Sequence, residues 1–176
     1  LNLKGVDSID LIKDKIQKKL KNINADSWLL GFGWDQNLWV DKKYPTKDIL
    51  NNIAPNTPIY LTRIDGHSAW INSAAISQSR LSINQINDIE GGKVINDCIM
   101  IDNTMNCFKS CLPSDTKDQV KTWIKKAVYE TTKMGITGVH DAWQDSVTVH
   151  AIQELIKEEE FPIRCYGMLA SNDKSF

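Results

Sequence analysis

The sequence of 176 residues predicts an α/β fold, and two observations carry that prediction. Helical segments with one apolar face alternate along the chain with short apolar segments, which is the pattern of strands joined by helices. Polar and aromatic residues also follow three of those strands directly in the sequence, and α/β proteins form their binding sites at such strand ends. Because helical crossovers join parallel strands, we predict about four parallel strands.

A helix precedes the first strand. Ser8 is placed to cap a helix that extends to about Asn22. The apolar residues of that helix recur at spacings of three and four, at Ile9, Ile12, Ile16 and Leu20. Residues 28–32 then predict a short strand, and Gly33 allows the chain to turn out of it.

A short helix and a second strand follow. Thr46 is placed to cap a helix that ends near Asn52. The apolar run of residues 59–64 predicts a buried strand, and residues 73–79 predict a brief helix. Residues 80–113 differ in character because they are rich in Asn, Asp, Ile and Gly. We predict that they form a small irregular β excursion with one hairpin.

The rest of the chain repeats the helix–strand alternation. Ser114 and Asp115 predict the start of the longest helix, and Gly135 is its predicted C-cap. The segments that follow are a strand at 136–139, a helix at 147–159 and a strand at 163–169. Four such strands make half of a closed barrel, which needs about 250 residues. We therefore predict part of one TIM-like (β/α) barrel domain over residues 1–176, with an irregular insertion at about 80–113.

Composition excludes several classes of partner. The net charge is −1, so neither nucleic acid nor an anionic membrane is favoured. No apolar run approaches the roughly 20 residues that span a bilayer, and no signal peptide is visible. The four cysteines form no zinc-binding pattern, and we expect reduced thiols in a cytoplasmic protein.

The densest group of functional side chains is the stretch from Asp65 to Asn72, directly after the second strand. An acid, an imidazole, a hydroxyl, an indole and a carboxamide lie within eight residues. The alternative is a turn and a helix start in which His67 is a capping or hydrogen-bonded residue. His150 stands in the middle of a helix, and we expect it to be solvated.

Three blocks of sequence resemble the YtcJ-like branch of the amidohydrolase superfamily, the amidohydrolase 3 family. They are Trp28-Leu29-Leu30-Gly31-Phe32-Gly33-Trp34-Asp35, then Leu61-Thr62-Arg63-Ile64-Asp65-Gly66-His67-Ser68-Ala69-Trp70-Ile71-Asn72-Ser73, and Gly135-Ile136-Thr137-Gly138-Val139-His140-Asp141-Ala142. Two mid-region segments, 91–95 and 101–105, are similar to that family as well. The resemblance covers about residues 3–169.

The resemblance implies a metal-dependent hydrolase on a TIM-like barrel. Such enzymes cleave C–N bonds of amides or cyclic amides with a metal-activated water, and zinc is the expected divalent metal. The His-x-His motif of the family is absent from this sequence, and its later ligands would lie beyond Phe176. We therefore expect an inactive fragment that binds no metal itself, whose partners are a small-molecule substrate and the remainder of its barrel.

The candidate site residues all follow predicted strands. His67 is the candidate catalytic residue, as a hydrogen-bonding group for a substrate carbonyl or an oxyanion. The candidate substrate-binding residues are Trp34, Asp35, Asp65, Trp70, His140 and Asp141. For each of them a structural role is the alternative: Trp34 and Trp70 as core residues, and Asp65 as the residue that orients His67.

Two other functions compete with the fragment hypothesis. A truncated, non-catalytic relative would bind a small ligand or dock to a partner chain. A stand-alone metal hydrolase would use His67, His140 and Asp141 as ligands.

Overall fold

A five-stranded sheet forms the centre of the N-terminal part of the chain. The computed structural model describes residues 1–24 and 27–170. The chain divides into two compact units, residues 1–113 and 114–176, which are treated separately below. Whether both belong to one barrel domain, as the sequence predicts, stays a prediction.

The strand order of the first unit is β1-β2-β3-β5-β4. Strand β1 pairs with β2 in parallel, whereas the β2/β3, β3/β5 and β4/β5 pairs are antiparallel. Its elements are α1 (Ile9–Leu20), β1 (Leu29–Trp34), α2 (Lys47–Ile53), β2 (Ile59–Arg63), β3 (Ser68–Ile71), α3 (Ser73–Ser79), α4 (Ile83–Asn87), β4 (Gly92–Ile95) and β5 (Ile99–Asp102). Short 3-10 helices span Gln36–Leu38 and Asn103–Phe108.

The helices start where polar side chains satisfy their first backbone N–H groups. The Ser8 hydroxyl accepts a hydrogen bond from the Leu11 N–H, as the sequence predicts for α1. Thr46 occupies the N-cap position of α2, but its side chain makes no capping hydrogen bond, so that part of the prediction is wrong. The Asn72 carboxamide caps α3 by accepting from the Ala75 N–H.

Two hydrophobic cores cover the two faces of the sheet. One core packs α1 and α2 against the sheet, with Ile12, Ile16 and Leu50 fully buried. The other core contains Tyr60, Met100 and Phe108, with residues of α3, α4 and the second 3-10 helix around them. Burial on both faces explains why β3 shows no polar alternation: all four of its residues are buried.

A β-bulge at Gly33 decides which way Trp34 points. The register between β1 and β2 shifts between Phe32 and Trp34, and Gly33 has a φ of 101°. A bulge adds one residue, so the next side chain changes face. Phe32 is therefore partly exposed, while Trp34 is fully buried in the first core.

The structure corrects the prediction of four parallel strands. The fold is mixed α/β, because β3 and the β4–β5 hairpin add antiparallel strands to the first sheet. The stretch from Asp65 to Asn72, for which a turn and a helix start was the structural alternative, contains strand β3. Four-residue strands with apolar residues on both faces carry no periodicity that separates them from a turn or a buried helix.

The second unit contains two helices and two strands. They are α5 (Lys117–Lys133), β6 (Gly138–Gln144), α6 (Ser146–Lys157) and β7 (Arg164–Leu169). Strands β6 and β7 pair in parallel, as predicted. The N-cap of α5 is Thr116, in a capping box with Gln119, rather than Ser114 or Asp115. In the described ranges, no helix is long and apolar enough to cross a membrane.

Candidate functional site

One edge of the five-stranded sheet collects charged and polar side chains. The parallel strands β1 and β2 both end there, the turn after β2 lies there, and the antiparallel strand β5 ends beside that turn. We call this edge the polar edge. Its members are Asp35, Arg63, Asp65, His67 and Asp102.

Arg63 connects the ends of the two parallel strands. Its Nη2 lies 3.1 Å from Asp35 Oδ1, its Nη1 pairs with Asp65 Oδ2, and its Nε donates to Gln36 Oε1 at 2.8 Å. The Arg63 side chain is only 13% exposed, and its guanidinium lies 6.0 Å from the Trp34 ring centroid. Both carboxylates are therefore bound by a largely buried cation, which fixes the strand ends.

Asp65 also shapes the turn that carries His67. Its Oδ1 accepts a hydrogen bond from the backbone N–H of His67 at 3.0 Å. This is an Asx turn, in which an aspartate side chain replaces a backbone acceptor. The structure thus gives Asp35 and Asp65 partners within the polar edge, while a substrate contact for either residue stays a prediction.

His67 is the most exposed member of the polar edge. Its side chain is 77% exposed, and its Nδ1 lies 3.0 Å from Asp102 Oδ1. The ring borders a surface depression of about 450 Å³. Other residues around this depression are Tyr60, Asp102, Asn103, Asn106 and Lys109. The catalytic role of His67 stays a prediction.

The structure places Trp34 and Trp70 in the hydrophobic core instead of a substrate pocket. Neither side chain has exposed surface. The two rings lie 6.2 Å apart, and their Nε1 groups donate to the carbonyls of Leu61 and Thr46. A side chain with no accessible surface cannot contact a ligand, so both tryptophans take the core role that the sequence left as the alternative.

His140 and Asp141 lie in the second unit, next to each other on β6. The His140 ring packs 5.3 Å from the Tyr166 ring, and Asp141 Oδ2 accepts from Gln144 Nε2 at 3.1 Å. Neighbouring residues of a strand point to opposite faces, although both residues line one surface depression of about 250 Å³. A substrate contact for either residue stays a prediction. His150 is exposed on α6.

Two members of the polar edge, Arg63 and Asp102, were not predicted as site residues from the sequence. Arg63 is close in sequence to Asp65 at the end of a predicted strand, which is a signal for an ion pair. Asp102 lies 35 residues from His67. Its proximity depends on the β3/β5 pairing, which the sequence alone did not specify.

The described residues do not fit a metal ion. Zinc sites need three or four ligands that converge on one point, and the part of the chain that the structure describes contains no such group of His, Cys, Asp or Glu. The four cysteines are free. Burial raises the pKa of Cys98 to about 12 and that of Cys107 to about 11, so both thiols are protonated near neutral pH. Metal ligation requires the thiolate.

The buried thiols predict a loss of stability at alkaline pH. Because burial raises the folded-state pKa of Cys98 from 9.0 to about 12, the unfolded state ionises first. The stabilising contribution is complete below pH 9 and is lost as the pH rises from 9 towards 12. We expect the urea midpoint to fall between pH 7.5 and about pH 10, and to fall less in Cys98→Ala. Equal falls in both proteins would contradict this assignment.

The sequence matches the family model described as "Amidohydrolase family" over residues 1–175. It is 26% identical to the "Putative amidohydrolase YtcJ" of Bacillus subtilis over 177 aligned positions, which cover 94% of this chain and 33% of that protein. It is 28% identical over 69 residues to the "N-substituted formamide deformylase" of Arthrobacter pascens, covering 39% of this chain and 13% of that enzyme.

The fold is similar to that of a solved structure. An uncharacterized metal-dependent hydrolase from Pyrococcus horikoshii matches with a TM-score of 0.62 and 18% identity, over 96% of this chain and 32% of that one. The chain thus spans about a third of the length of the YtcJ protein and of this hydrolase. Since the family model covers nearly every residue, the chain belongs to the amidohydrolase family.

Proposed function

We propose that the protein is a metal-dependent hydrolase of non-peptide C–N bonds, in amides or cyclic amides. The match to the amidohydrolase family over residues 1–175 carries this proposal. The name of the Arthrobacter relative, an N-substituted formamide deformylase, supports an amide as the substrate class. The substrate would be a small molecule. Neither nucleic acid nor a membrane is proposed as a partner, and the cytoplasmic location expected from the cysteines remains part of the proposal.

This chain would supply part of the barrel and part of the substrate site. The parallel pairs β1/β2 and β6/β7 are the pairing that a (β/α) barrel uses, which supports a partial barrel. The divalent metal, with zinc as the expected ion, would be held by residues outside the described ones, since those contain no ligand group. The chain on its own is therefore proposed to be inactive and to depend on the remainder of its barrel.

Metal analysis and hydrolysis assays on the product of the full gene test this proposal. We expect about one or two equivalents of bound divalent metal, hydrolysis of N-substituted formamides or cyclic amides, and loss of activity after chelation. Activity should return when zinc is added back. A metal-free product that hydrolyses none of these amides would contradict the proposal.

His67 would act on the substrate side of the site. Its exposure, its place on the polar edge and the adjoining depression support that role. In the full gene product we expect His67→Ala to lower kcat about 10²-fold, because the substrate loses a side chain that positions it. His150→Ala is the matched control, because His150 is exposed on a helix surface, and its kcat should change less than twofold. Equal rates in wild type and His67→Ala would contradict the role.

A non-catalytic relative that binds a small ligand or docks to a partner chain is the second candidate. The absence of a metal-ligand group among residues 1–24 and 27–170 favours it. Under this hypothesis the chain is complete as a folded unit, so it should be monodisperse and unfold cooperatively without added metal. Aggregation of the isolated chain would argue against it, because an open sheet edge promotes association.

A further inference from the structure

We propose that Asp102 is a positioning residue that fixes the tautomer of His67. In this tautomer Nε2 of the neutral ring is a hydrogen-bond acceptor, so the substrate group that meets it is a donor and not the carbonyl or oxyanion that the sequence suggested for His67. In an amide substrate that donor is the amide N–H. The inference rests on the proposed function for its substrate, but the state of the histidine ring is measurable without any assay of hydrolysis.

Two hydrogen bonds hold the residues together. The Nδ1 of His67 lies 3.0 Å from Asp102 Oδ1, and the backbone N–H of Asp102 donates to the His67 carbonyl at 3.0 Å. The β3/β5 register pairs Ser68 with Ile101, so His67 and Asp102 continue the ladder by one position. Because backbone and side chain are both paired, the ring is held in one orientation.

The chemistry of the carboxylate decides which ring nitrogen carries the proton. An ionised aspartate only accepts hydrogen bonds, so the Nδ1 that faces Asp102 must be the N–H of the neutral imidazole. The other nitrogen, Nε2, then presents a lone pair. Within the described part of the chain, no side chain or backbone group hydrogen-bonds Nε2. It is therefore available to a ligand in the adjoining depression.

The backbone of Asp102 is strained. If this residue only formed the turn, the strain would have no explanation. Asp102 has a φ of 50° and a ψ of −118°, a conformation that glycine adopts at the lowest cost. Glycine would keep the turn and remove the strain. The position instead holds a carboxylate that reaches His67. Strain of this kind, kept where a side chain meets a reactive group, is a feature of functional sites.

The tautomer also narrows the class of substrate. A neutral His67 accepts at Nε2, so it favours amides that retain an N–H, including N-monosubstituted formamides and cyclic amides. Amides whose nitrogen carries two carbon substituents and no hydrogen cannot make this bond. They would leave Nε2 unpaired in the complex, which lowers their relative kcat/KM.

Long-range ¹H–¹⁵N spectra of the full gene product, labelled with ¹⁵N-histidine, test the tautomer. The signal of His67 is assigned by its absence from His67→Gln. At a pH where the ring is neutral, we expect His67 Nδ1 at the chemical shift of a protonated nitrogen and Nε2 at that of an unprotonated one. In Asp102→Gly we expect the reverse tautomer, which predominates for free histidine. A wild-type His67 with its proton on Nε2 would overturn the proposal, whether or not the variant folds.

Asp97→Gly is the matched control. Asp97 is also an aspartate with a positive φ, 53°, so glycine relaxes the backbone there as well. Its carboxylate pairs with Lys47 instead of a histidine. The tautomer of His67 should be unchanged in this variant. A shift as large as that in Asp102→Gly would assign the effect to backbone relaxation and overturn the role of the carboxylate.

Hydrolysis supplies a second readout. The ratio of kcat/KM for an N-monosubstituted formamide to that for its N-methylated analogue should be at least tenfold in wild type. The ratio should fall at least fivefold in Asp102→Gly and stay unchanged in Asp97→Gly. An unchanged ratio in Asp102→Gly would overturn the proposal. If neither amide is hydrolysed at all, the proposed function fails, and the spectra alone decide the role of Asp102.

Discussion

Asn72→Asp is expected to lower the free energy of unfolding by about 3–5 kcal/mol, since it leaves buried groups without hydrogen-bond partners. The Asn72 side chain has no exposed surface. Its Oδ1 accepts from the backbone N–H groups of Ile59 and Ala75, both at 3.0 Å. Its Nδ2 donates to the carbonyls of Ala54 and Thr57, at 2.8 and 2.9 Å.

These four hydrogen bonds connect three elements of the first unit. Ala54 follows α2, Ile59 begins β2, and Ala75 lies in the first turn of α3. Aspartate keeps the two accepting interactions but has no N–H to donate. Two buried carbonyls would then face a carboxylate, which costs the desolvation of all three groups. The site therefore requires the two N–H groups of the carboxamide as well as a side chain of this size.

Urea unfolding followed by tryptophan fluorescence measures this effect. Asn56→Asp is the matched control, because Asn56 is exposed in the same loop region and should change the free energy by less than about 0.5 kcal/mol. Asn72→Ala should cost a similar amount to Asn72→Asp, since it leaves the two backbone N–H groups and the two carbonyls without their side-chain partners. A loss below about 1 kcal/mol for Asn72→Asp would contradict this account.

Local signals in the sequence predicted much of the element content. The cap at Ser8, the helix from Ser73 to Ser79 and the parallel strands around β1 and β2 follow from capping and apolar spacing. The family resemblance rested on ordered blocks of sequence and is confirmed by the family match. The cap and the helix depend on residues within one turn of each other, and the parallel direction of β1 and β2 follows from the helix between them.

Features that depend on distant pairing were not predictable in the same way. The antiparallel β3 is short and buried on both faces, so only its neighbours β2 and β5 define it as a strand. The contact between His67 and Asp102 exists because β3 pairs with β5. At the end of its strand, Trp34 was a candidate substrate contact, with packing in the core as the alternative. The bulge at Gly33 turned it to the other face. A shift of one residue in the strand register reverses the face on which a side chain lies.

Trp34→Ala is expected to lower the free energy of unfolding by about 3–5 kcal/mol, the usual cost of deleting a buried aromatic side chain. Trp34 is fully buried between Trp39, Tyr44 and Trp70, with ring centroids 6.0, 6.4 and 6.2 Å away. Its Nε1 donates to the Leu61 carbonyl at 2.7 Å. Removing the indole empties the centre of this cluster and leaves that carbonyl without its side-chain donor.

The comparison with Phe32 makes the test specific to the bulge. Regular alternation would place Phe32 and Trp34 on one face, where both deletions would cost alike. In the structure Phe32 is 41% exposed and Trp34 is buried, so Phe32→Ala should cost only about 1 kcal/mol. Trp34→Phe should fall between the two, because it keeps an aromatic ring but loses the hydrogen bond to Leu61. Equal losses for Phe32→Ala and Trp34→Ala in urea unfolding would mean that the strand has no bulge. In that case Trp34 would lie on the same face as Phe32, and a substrate contact for Trp34 would again be a prediction.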